Sequence, residues 1–308
     1  TASGELINCS RRQNSDLFWA TFGGMGLTGL VLEVTLKLKP IKTAYLKRRT
    51  LRVANLDELF AALEKYDQKY LYSAAWVDTL ANGRKLGRGV IFFGMHADLD
   101  ELAPAQRSQP LEITLKKKRA VPFSLPSLAL NRITVQAYNQ YYWQKNKSGW
   151  QLVDYDEFFY PLDSLLNWNR LYGKRGFTQY QMVIPTNNAY QVIKKVLEKL
   201  NQVKQPSFLA VLKKMGSQQG LLSFPLAGYT LTLDFPISSH LAVLLKELDK
   251  MVVEAGGRVY LAKDAFLDEQ TFKSMYNGFW QKWLEVKAKY DPNCLFQSNL
   301  SRRVGLCP

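Results

Sequence analysis

The second half of the chain alternates strand patterns with amphipathic helix patterns, and this rhythm constrains the fold more than any other feature. Apolar residues recur at helical spacing over 189–200 and 241–255, and Gly256-Gly257 is a typical end for the second helix. Alternation of polar and apolar residues predicts strands over 176–184, 207–213, 229–235 and 258–264. The apolar strand faces are expected to pack under the helices, which leaves a polar face for solvent or a ligand.

The first half gives weaker signals. A short helix is predicted over 14–22, with Asn14 or Ser15 as its cap, and Asn55 with Glu58 predicts the capped start of a second helix. A helix is also expected over 162–172, whereas 97–150 is the least regular stretch. Strands are predicted over 30–38, where Pro40 ends the pattern, and over 46–53, 71–78 and 88–95.

Composition excludes several classes of protein. The 308 residues suggest about two domains, and 47% hydrophobic residues are enough for a large core. No apolar run is long enough to span a bilayer. Two histidines, expected at the surface or at a cap, argue against a zinc site, and three cysteines argue against a disulfide scaffold. We expect Cys294 to be a packed thiol and Cys307 a tail residue.

The formal net charge of +15 favours anionic partners such as phosphates, nucleic acid or acidic lipid. The basic run Lys116–Arg119 lies in a proline-broken, aromatic stretch. It is either a solvated loop or a mobile flap that meets an anionic membrane or a polyprenyl phosphate. The first residues lack an initiator Met and a signal peptide, so we expect the chain to begin inside a domain.

Residues 24–29 satisfy the pattern G-x-G-x-x-G, but they do not predict a Rossmann loop. A dinucleotide fingerprint needs a strand before the glycines and a helix after them, and here the order is reversed. The acidic residue expected about 20 positions later is also missing. The glycines make either a tight helix-to-strand turn or a close backbone approach to a ligand.

The whole stretch Asp16–Val31 resembles the second FAD-contacting segment of the vanillyl-alcohol-oxidase/PCMH class of FAD-linked oxidases. In that class the main chain after the glycines runs beside the adenine end of the cofactor. The resemblance implies FAD contacts at Gly26, Gly29 and Leu30.

Further strings in the same order resemble the decaprenylphosphoryl-β-D-ribose 2′-oxidase family within that class. They are Tyr72–Trp76, Phe159–Asp163, Trp168–Arg170, Gln179–Pro185, Ser207–Lys213, Leu222–Pro225, Asp234–Pro236 and Gly256–Asp264. The resemblance implies an α+β fold with part of a PCMH-type FAD-binding domain (1–42 and 258–308). It also implies a substrate (cap) domain over 43–257, with a large antiparallel sheet covered by helices on one face.

The strand patterns and the resemblance together predict the site. Gln179 and Gln181 share one strand face, as do Thr230, Thr232 and Asp234, and these polar groups suit a polyhydroxylated ligand. The alternative is a sheet face open to water. The resemblance adds Trp76 to the substrate-binding residues. The family carries Asn and Cys where this chain has Thr230 and Thr232. The cysteine thiol of the family is therefore absent from this face of the strand.

The resemblance also places Tyr260 against FAD, Lys263 at the junction of flavin and substrate, and Lys213 beside the isoalloxazine or the substrate. A nearby ammonium stabilises the negative charge of a reduced flavin, so Lys263 and Lys213 are the catalytic candidates. The alternative interpretation is that Lys263 is a surface lysine paired with Asp264, without a catalytic role. The group that removes the hydroxyl proton stays unassigned.

The implied function is FAD-dependent oxidation of a secondary CH–OH of a sugar, such as a polyprenylphosphoryl pentose at C2. An aldonolactone oxidase of the D-arabinono-1,4-lactone type is the alternative of the same chemistry. A non-catalytic basic module for lipid or nucleic acid is the alternative of another class, but no nucleic-acid-binding motif supports it. The expected partners are the sugar phosphate, a short-chain reductase and the periphery of a membrane, in the cytoplasm or at the cell envelope.

The class carries its glycine-rich pyrophosphate loop, and any histidine that anchors FAD covalently, before the region that matches this chain. We therefore expect non-covalent FAD binding that is weak or lost in this polypeptide, and a fragment that is inactive alone. No metal is expected.

Overall fold

A computed structural model describes residues 1–126 and 130–307. The helices are α1 Ser15–Thr21, α2 Leu56–Tyr66, α3 Pro104–Arg107, α4 Arg132–Lys145, α5 Tyr155–Phe159, α6 Thr186–Gln202, α7 Leu241–Glu254, α8 Glu269–Met275, α9 Phe279–Tyr290 and α10 Asn299–Arg303. The strands are β1 Tyr45–Val53, β2 Tyr72–Val77, β3 Gly89–His96, β4 Arg119–Ala120, β5 Gly149–Asp154, β6 Leu165–Leu166, β7 Phe177–Pro185, β8 Ala210–Met215, β9 Gly228–Pro236 and β10 Arg258–Val259.

One eight-stranded antiparallel sheet organises the molecule, in the order β10-β7-β9-β8-β2-β3-β1-β5. Its apolar face packs under α2, α6 and α7. The side chains that β9 contributes to this apolar face are fully buried: Tyr229, Leu231, Leu233 and Phe235. The helices above contribute buried residues such as Leu59, Val196 and Leu248. The predicted α+β fold with a large antiparallel sheet is confirmed.

The α2 helix begins where the sequence predicted. The side chain of Asn55 accepts a hydrogen bond from the Glu58 N–H at 2.9 Å, and the Glu58 carboxylate accepts one from the Ala54 N–H at 2.8 Å. At the end of α7, Gly256 has φ +70 and its N–H bonds to the Val253 carbonyl. Only glycine adopts such a φ at little cost, which explains this helix end.

The opposite sheet face is covered at one end by a second layer. The helices α4 and α5 lie there, together with the short parallel pair of β4 and β6. We call residues 112–126 the flap. Arg170 donates hydrogen bonds to the carbonyls of Val121 and Pro122 at 2.9 and 2.8 Å, which fixes the flap to the residues after β6.

The helix α1 and the turn that follows it pack on the C-terminal helices. Trp283 donates its indole N–H to the carbonyl of Ala20 at 2.9 Å. The Lys287 ammonium is buried, where it pairs with Asp291 and donates to the carbonyls of Leu27 and Phe296 at 2.6 Å each. These contacts join 1–29 to the last fifty residues. The division into two domains itself stays a prediction.

Several predictions about local structure are wrong. Residues 30–38 form no strand, because their backbone finds no partner strand among the described residues. The strand predicted over 258–264 ends at Val259, where the chain turns, and 162–172 holds the two-residue β6 and a short 3-10 helix. Asn14 is the N-cap residue of α1, as predicted, but its side chain donates to the Asn8 carbonyl and makes no capping hydrogen bond.

The prediction of separate thiols at Cys294 and Cys307 is also wrong. The two residues form a disulfide with a Cα–Cα distance of 6.0 Å, whereas Cys9 is free and exposed. No helix within the described ranges has both the length and the apolar character needed to cross a bilayer.

Candidate active site

The polar face of the sheet brings five predicted substrate or catalytic residues together. Across β7 and β9, Gln181 pairs with Thr232 and Gln179 with Asp234. Across β8 and β9, Lys213 pairs with Thr230. Directly paired residues of antiparallel strands point to the same face, so these side chains form one continuous wall.

Hydrogen bonds within the wall fix its inner layer. Gln181 donates to the Thr230 hydroxyl at 3.0 Å, and Gln179 donates to the Asp234 carboxylate at 2.5 Å. Thr230 and Asp234 are buried, whereas Thr232 and Gln179 are half-buried and Lys213 is exposed. A ligand on this face therefore meets Thr232, Gln179 and Lys213 first.

Asp234 is a buried carboxyl group with an unusual environment. Burial raises its pKa to about 6, against the opposing effects of the Gln179 hydrogen bond, the charge of Lys263 and the Tyr172 hydroxyl. The Tyr172 hydroxyl lies 3.5 Å from the carboxylate. This carboxyl group is thus held behind the wall and coupled to the cation that the resemblance places at the flavin.

Lys263 lies at the edge of the same face. Partial burial lowers its pKa, the charge of Asp234 opposes that shift, and the charge of Lys213 adds to it. The ammonium lies 5.9 Å from the centre of the Tyr260 ring, and no ion pair joins it to Asp264, whose partner among the described residues is Arg303. The structure therefore does not support the reading of Lys263 as a surface lysine paired with Asp264.

Tyr260 follows β10 and connects the wall to the turn over residues 23–29, which we call the glycine turn. Its N–H bonds to the Gln181 carbonyl at 2.8 Å, and its ring stacks on Phe224 at 4.8 Å. The neighbouring Ser223 lies against Gly23, where an added Cβ would approach the Ser223 Cα to 3.0 Å. The glycine turn and Tyr260 therefore contact adjacent residues of the same short loop, Ser223 and Phe224.

The predicted FAD-contacting residues lie on an open side of this turn. Gly26 has φ +71, and a Cβ built on it would meet nothing within 4 Å. Gly29 also has a positive φ, and the Leu30 side chain is 71% exposed. The backbone of 29–41 makes no hydrogen bond to any residue in the described ranges. An open backbone edge next to an exposed aliphatic side chain fits the adenine end of a flavin nucleotide.

Trp76 lies on the same sheet face but in a different environment. It pairs with Val211 across β2 and β8, and its ring packs 4.8 Å from Tyr142 of α4. It lines a cavity of about 940 Å³ together with Lys213. The lining excludes Gln179, Gln181, Thr230, Thr232, Tyr260 and Lys263, which lie beyond Lys213 along the face.

Sequence reasoning missed part of this site. The sequence pattern predicts only a helix at Tyr172 and gives no role to its hydroxyl. A buried carboxyl group such as Asp234 needs a hydrogen-bond partner, and this need was the available signal. The helix α4 lies in the stretch described as irregular. The Asn131 side chain accepts hydrogen bonds from the N–H groups of Ile133 and Thr134, a capping pattern that could have located its start.

Solved structures with this fold define the class of protein. The chain aligns over 98% of its length with glucooligosaccharide oxidase from Acremonium strictum, at a TM-score of 0.57 and 13% identity, and spans 64% of that protein. It aligns over 96% of its length with xylooligosaccharide oxidase from Myceliophthora thermophila C1, at a TM-score of 0.56 and 13% identity, and spans 63% of it. The fold is that of the vanillyl-alcohol-oxidase type of FAD-binding oxidase, as the resemblance implied.

Sequence comparison defines the family within this class. The chain is 36% identical over 99% of its length to decaprenylphosphoryl-β-D-ribose oxidase of Mycolicibacterium smegmatis, and it spans 67% of that enzyme. It is 30% identical to an uncharacterized protein of Streptomyces coelicolor, of which it spans 84%. Residues 233–304 match the D-arabinono-1,4-lactone oxidase family. The chain belongs to the decaprenylphosphoryl-β-D-ribose oxidase family of FAD-linked oxidases.

Proposed function

We propose that this chain is the substrate-binding part of an FAD-dependent oxidoreductase that oxidises a secondary CH–OH of a prenylphosphoryl pentose at C2. The observation that carries the proposal is the polar wall with Lys213 and Lys263 at its edge, beside the open glycine turn. Family membership supports the flavin and a sugar-like substrate. Oxidation at C2 and the prenyl group of the substrate are the parts of this function that we propose beyond family membership.

FAD, when bound, would supply the two-electron oxidant: it would accept the carbinol hydrogen as a hydride while the hydroxyl proton passes to solvent, so that the alcohol becomes a ketone. Gly26, Gly29 and Leu30 would hold its adenine end, and Tyr260 would contact the flavin. Binding is non-covalent in this proposal.

The residues of the wall orient the sugar. Thr232 and Gln179 offer a hydroxyl and an amide to its hydroxyl groups, which are better satisfied there than in an apolar pocket. The ammonium groups of Lys263 and Lys213 stabilise negative charge that develops beside them during oxidation. Asp234 lies behind Lys263, and its charge opposes the lowering of the Lys263 pKa by burial and by the charge of Lys213.

The alternative substrate is an aldonolactone. The match of residues 233–304 to the D-arabinono-1,4-lactone oxidase family favours it, because this range includes both Tyr260 and Lys263. A lactone carries no phosphate and no prenyl chain, so it would use the wall alone.

The experiment mixes FAD-loaded protein anaerobically with farnesylphosphoryl-β-D-ribose or with D-arabinono-1,4-lactone and follows the absorption of the oxidised flavin. We expect the farnesylphosphoryl sugar to bleach the flavin and to be recovered as the C2 ketone. Bleaching by the lactone alone would contradict the prenylphosphoryl pentose as substrate and support an aldonolactone oxidase. Bleaching by neither compound would contradict both.

A further inference from the structure

The cavity beside the wall has a floor of four strands and a roof formed by the flap, α4 and α5. Its floor crosses β8, β2, β3 and β1, and its roof includes Lys118 of the flap, Tyr142 and Lys145 of α4 and Phe158 of α5. Its volume of about 940 Å³ lies in the range of small-molecule sites. The wall accounts for a sugar, so this adjoining volume is available for a further part of the ligand.

The cavity is lined by six cations and four carboxylates: Arg48, Lys116, Lys118, Lys145, Lys213 and Lys214, against Asp67, Asp156, Glu157 and Asp163. Half of these cations have partners. Glu157 pairs with both Arg48 and Lys116, and Lys214 lies 3.7 Å from Asp67. Lys118, Lys145 and Lys213 form no ion pair with any residue that the structure describes.

These three lysines divide between two places. Lys213 lies on β8 at the edge of the wall and interacts with Lys263. It therefore lies at the end of the cavity that adjoins the proposed sugar-binding residues. Lys118 lies in the flap and Lys145 at the last turn of α4. Two cations without carboxylate partners, from two separate elements on one cavity, are suited to an anion such as a phosphate.

The rest of the lining is largely apolar. Aromatic side chains dominate it: Tyr70, Tyr72, Trp76, Phe92, Tyr142, Phe158, Phe159 and Tyr160. Several of them pack edge to face, for example Tyr72 on Phe159 at 4.8 Å. A site with a few cations and a wide aromatic surface suits an amphiphilic anion better than an inorganic phosphate.

The dimensions allow the sugar and the anion to belong to one molecule. From Lys213 on β8 to Arg48 on β1 the cavity crosses three strand spacings, which is roughly 14 Å. This length exceeds that of a single sugar ring, so a ligand whose sugar contacts the wall extends into the cavity.

We propose that this cavity binds the phosphodiester and the first isoprene units of a prenylphosphoryl sugar, with Lys118 and Lys145 on the phosphate and the aromatic rings on the prenyl chain. The inference rests on the proposed function and assigns residues to the part of the substrate that does not react. The basic run of the flap then has a defined role, because Lys118 lines the cavity whereas the adjacent Lys117 does not.

The chain offers a matched control for each lysine. Lys117 and Lys147 are exposed, lie one and two residues away from the proposed phosphate-binding lysines, and do not line the cavity. The experiment titrates farnesylphosphoryl-β-D-ribose into the 308-residue chain and into its variants Lys118→Glu, Lys145→Glu, Lys117→Glu and Lys147→Glu by calorimetry. Ribose 5-phosphate and a uridine diphosphate sugar serve as comparison ligands, and thermal melts confirm that the variants fold.

We expect Lys118→Glu and Lys145→Glu to weaken binding by about tenfold or more, because each loses a charge-assisted hydrogen bond. The two control variants carry the same change of net charge and are expected to bind within about twofold of the unmodified chain. Ribose 5-phosphate is expected to bind much more weakly, because it lacks the prenyl chain.

Equal weakening in all four variants would overturn the proposal, since it would show only long-range attraction. Tighter binding of the uridine diphosphate sugar, with the same dependence on Lys118 and Lys145, would also overturn it and assign the cavity to a nucleotide. If the farnesyl compound binds as expected but never reduces the flavin, the proposed function fails while this inference stands. If it is oxidised with a KM independent of both lysines, the inference fails alone.

Discussion

The polar face of the sheet and the segment 29–41 differ in how their polar groups are satisfied. In β7, β8 and β9 every strand has a neighbour on each side, and the side chains of the wall bond to one another. In 29–41 the backbone has no hydrogen-bond partner among the described residues, and Leu30, Leu32, Val34, Leu36 and Leu38 are all at least 68% exposed. The wall is held in shape by its own hydrogen bonds, whereas the segment 29–41 has no comparable bonds to the rest of the described structure.

Hydrogen exchange tests this contrast most strongly. We expect the amides of 229–235 to exchange only through unfolding and those of 30–38 to exchange almost as in a free peptide. The difference in protection should be on the order of 5 kcal/mol or more. Mass spectrometry of deuterated peptides checks it. Comparable protection in the two segments would mean that 30–38 is paired in solution and that the contrast is wrong.

A second test concerns the attachment of the glycine turn. Lys287→Met removes the buried ammonium that binds Leu27, Phe296 and Asp291, and leaves the Asp291 carboxylate buried without its partner. The free energy of unfolding should fall by about 3–5 kcal/mol in urea titrations. Lys289→Met removes an exposed pair with Asp16 and is expected to leave stability unchanged. Equal effects of the two variants would remove the special role of Lys287.

Lys263 lies at the edge of the polar face, beside Tyr260 and near Asp234. Lys263→Met in FAD-loaded protein should slow flavin reduction by about 10²–10³-fold, because one preorganised charge at the reacting atoms is lost. Lys282→Met, at an exposed position on α9 far along the chain from the wall, serves as the control. Stopped-flow absorption under anaerobic conditions gives both rates. A change in KM with an unchanged rate of reduction would limit Lys263 to substrate binding.

The smallest effect concerns pH and stability. Burial raises the pKa of Asp234 to about 6, above the value of about 3.9 for an unfolded chain. The protonated form is therefore favoured by folding, and stability is lost as pH rises from about 4 to about 6. Relative to Asp234→Asn, the unmodified protein should lose about 1–3 kcal/mol between pH 4 and pH 7. Urea titrations at the two pH values measure this, and a constant difference would show that the carboxyl group is not desolvated.

The sequence predicted correctly the elements that depend on local residue patterns. It failed for elements that depend on pairing with a distant segment of the chain. Alternation in β9 placed Thr230, Thr232 and Asp234 on one face because the period of a strand is fixed at two residues. The same alternation in 30–38 predicted a strand that does not form, since strand pairing depends on a neighbour. The disulfide of Cys294 with Cys307, and the fact that Lys118 and Lys145 line the same cavity, depend on chain folding that no local pattern records.

For the candidate site, pattern and resemblance located the wall but not its surroundings. The pairs Gln181–Thr232 and Gln179–Asp234 follow from strand register, and the register was not available from composition or spacing. Tyr172, Phe224 and the roof of the cavity come from segments without a strong periodicity. Their contribution could be recognised only when the elements were assembled.

The most direct test of the account follows the hydrogen that leaves the sugar. FAD-loaded protein is mixed anaerobically with farnesylphosphoryl-β-D-ribose carrying deuterium at C2 or at C3, and the rate at which the oxidised flavin disappears is measured. The account predicts slower reduction with deuterium at C2 and an unchanged rate with deuterium at C3. Slower reduction with the C3 label alone would contradict the claim that the polar face of the sheet presents the C2 carbinol to the flavin.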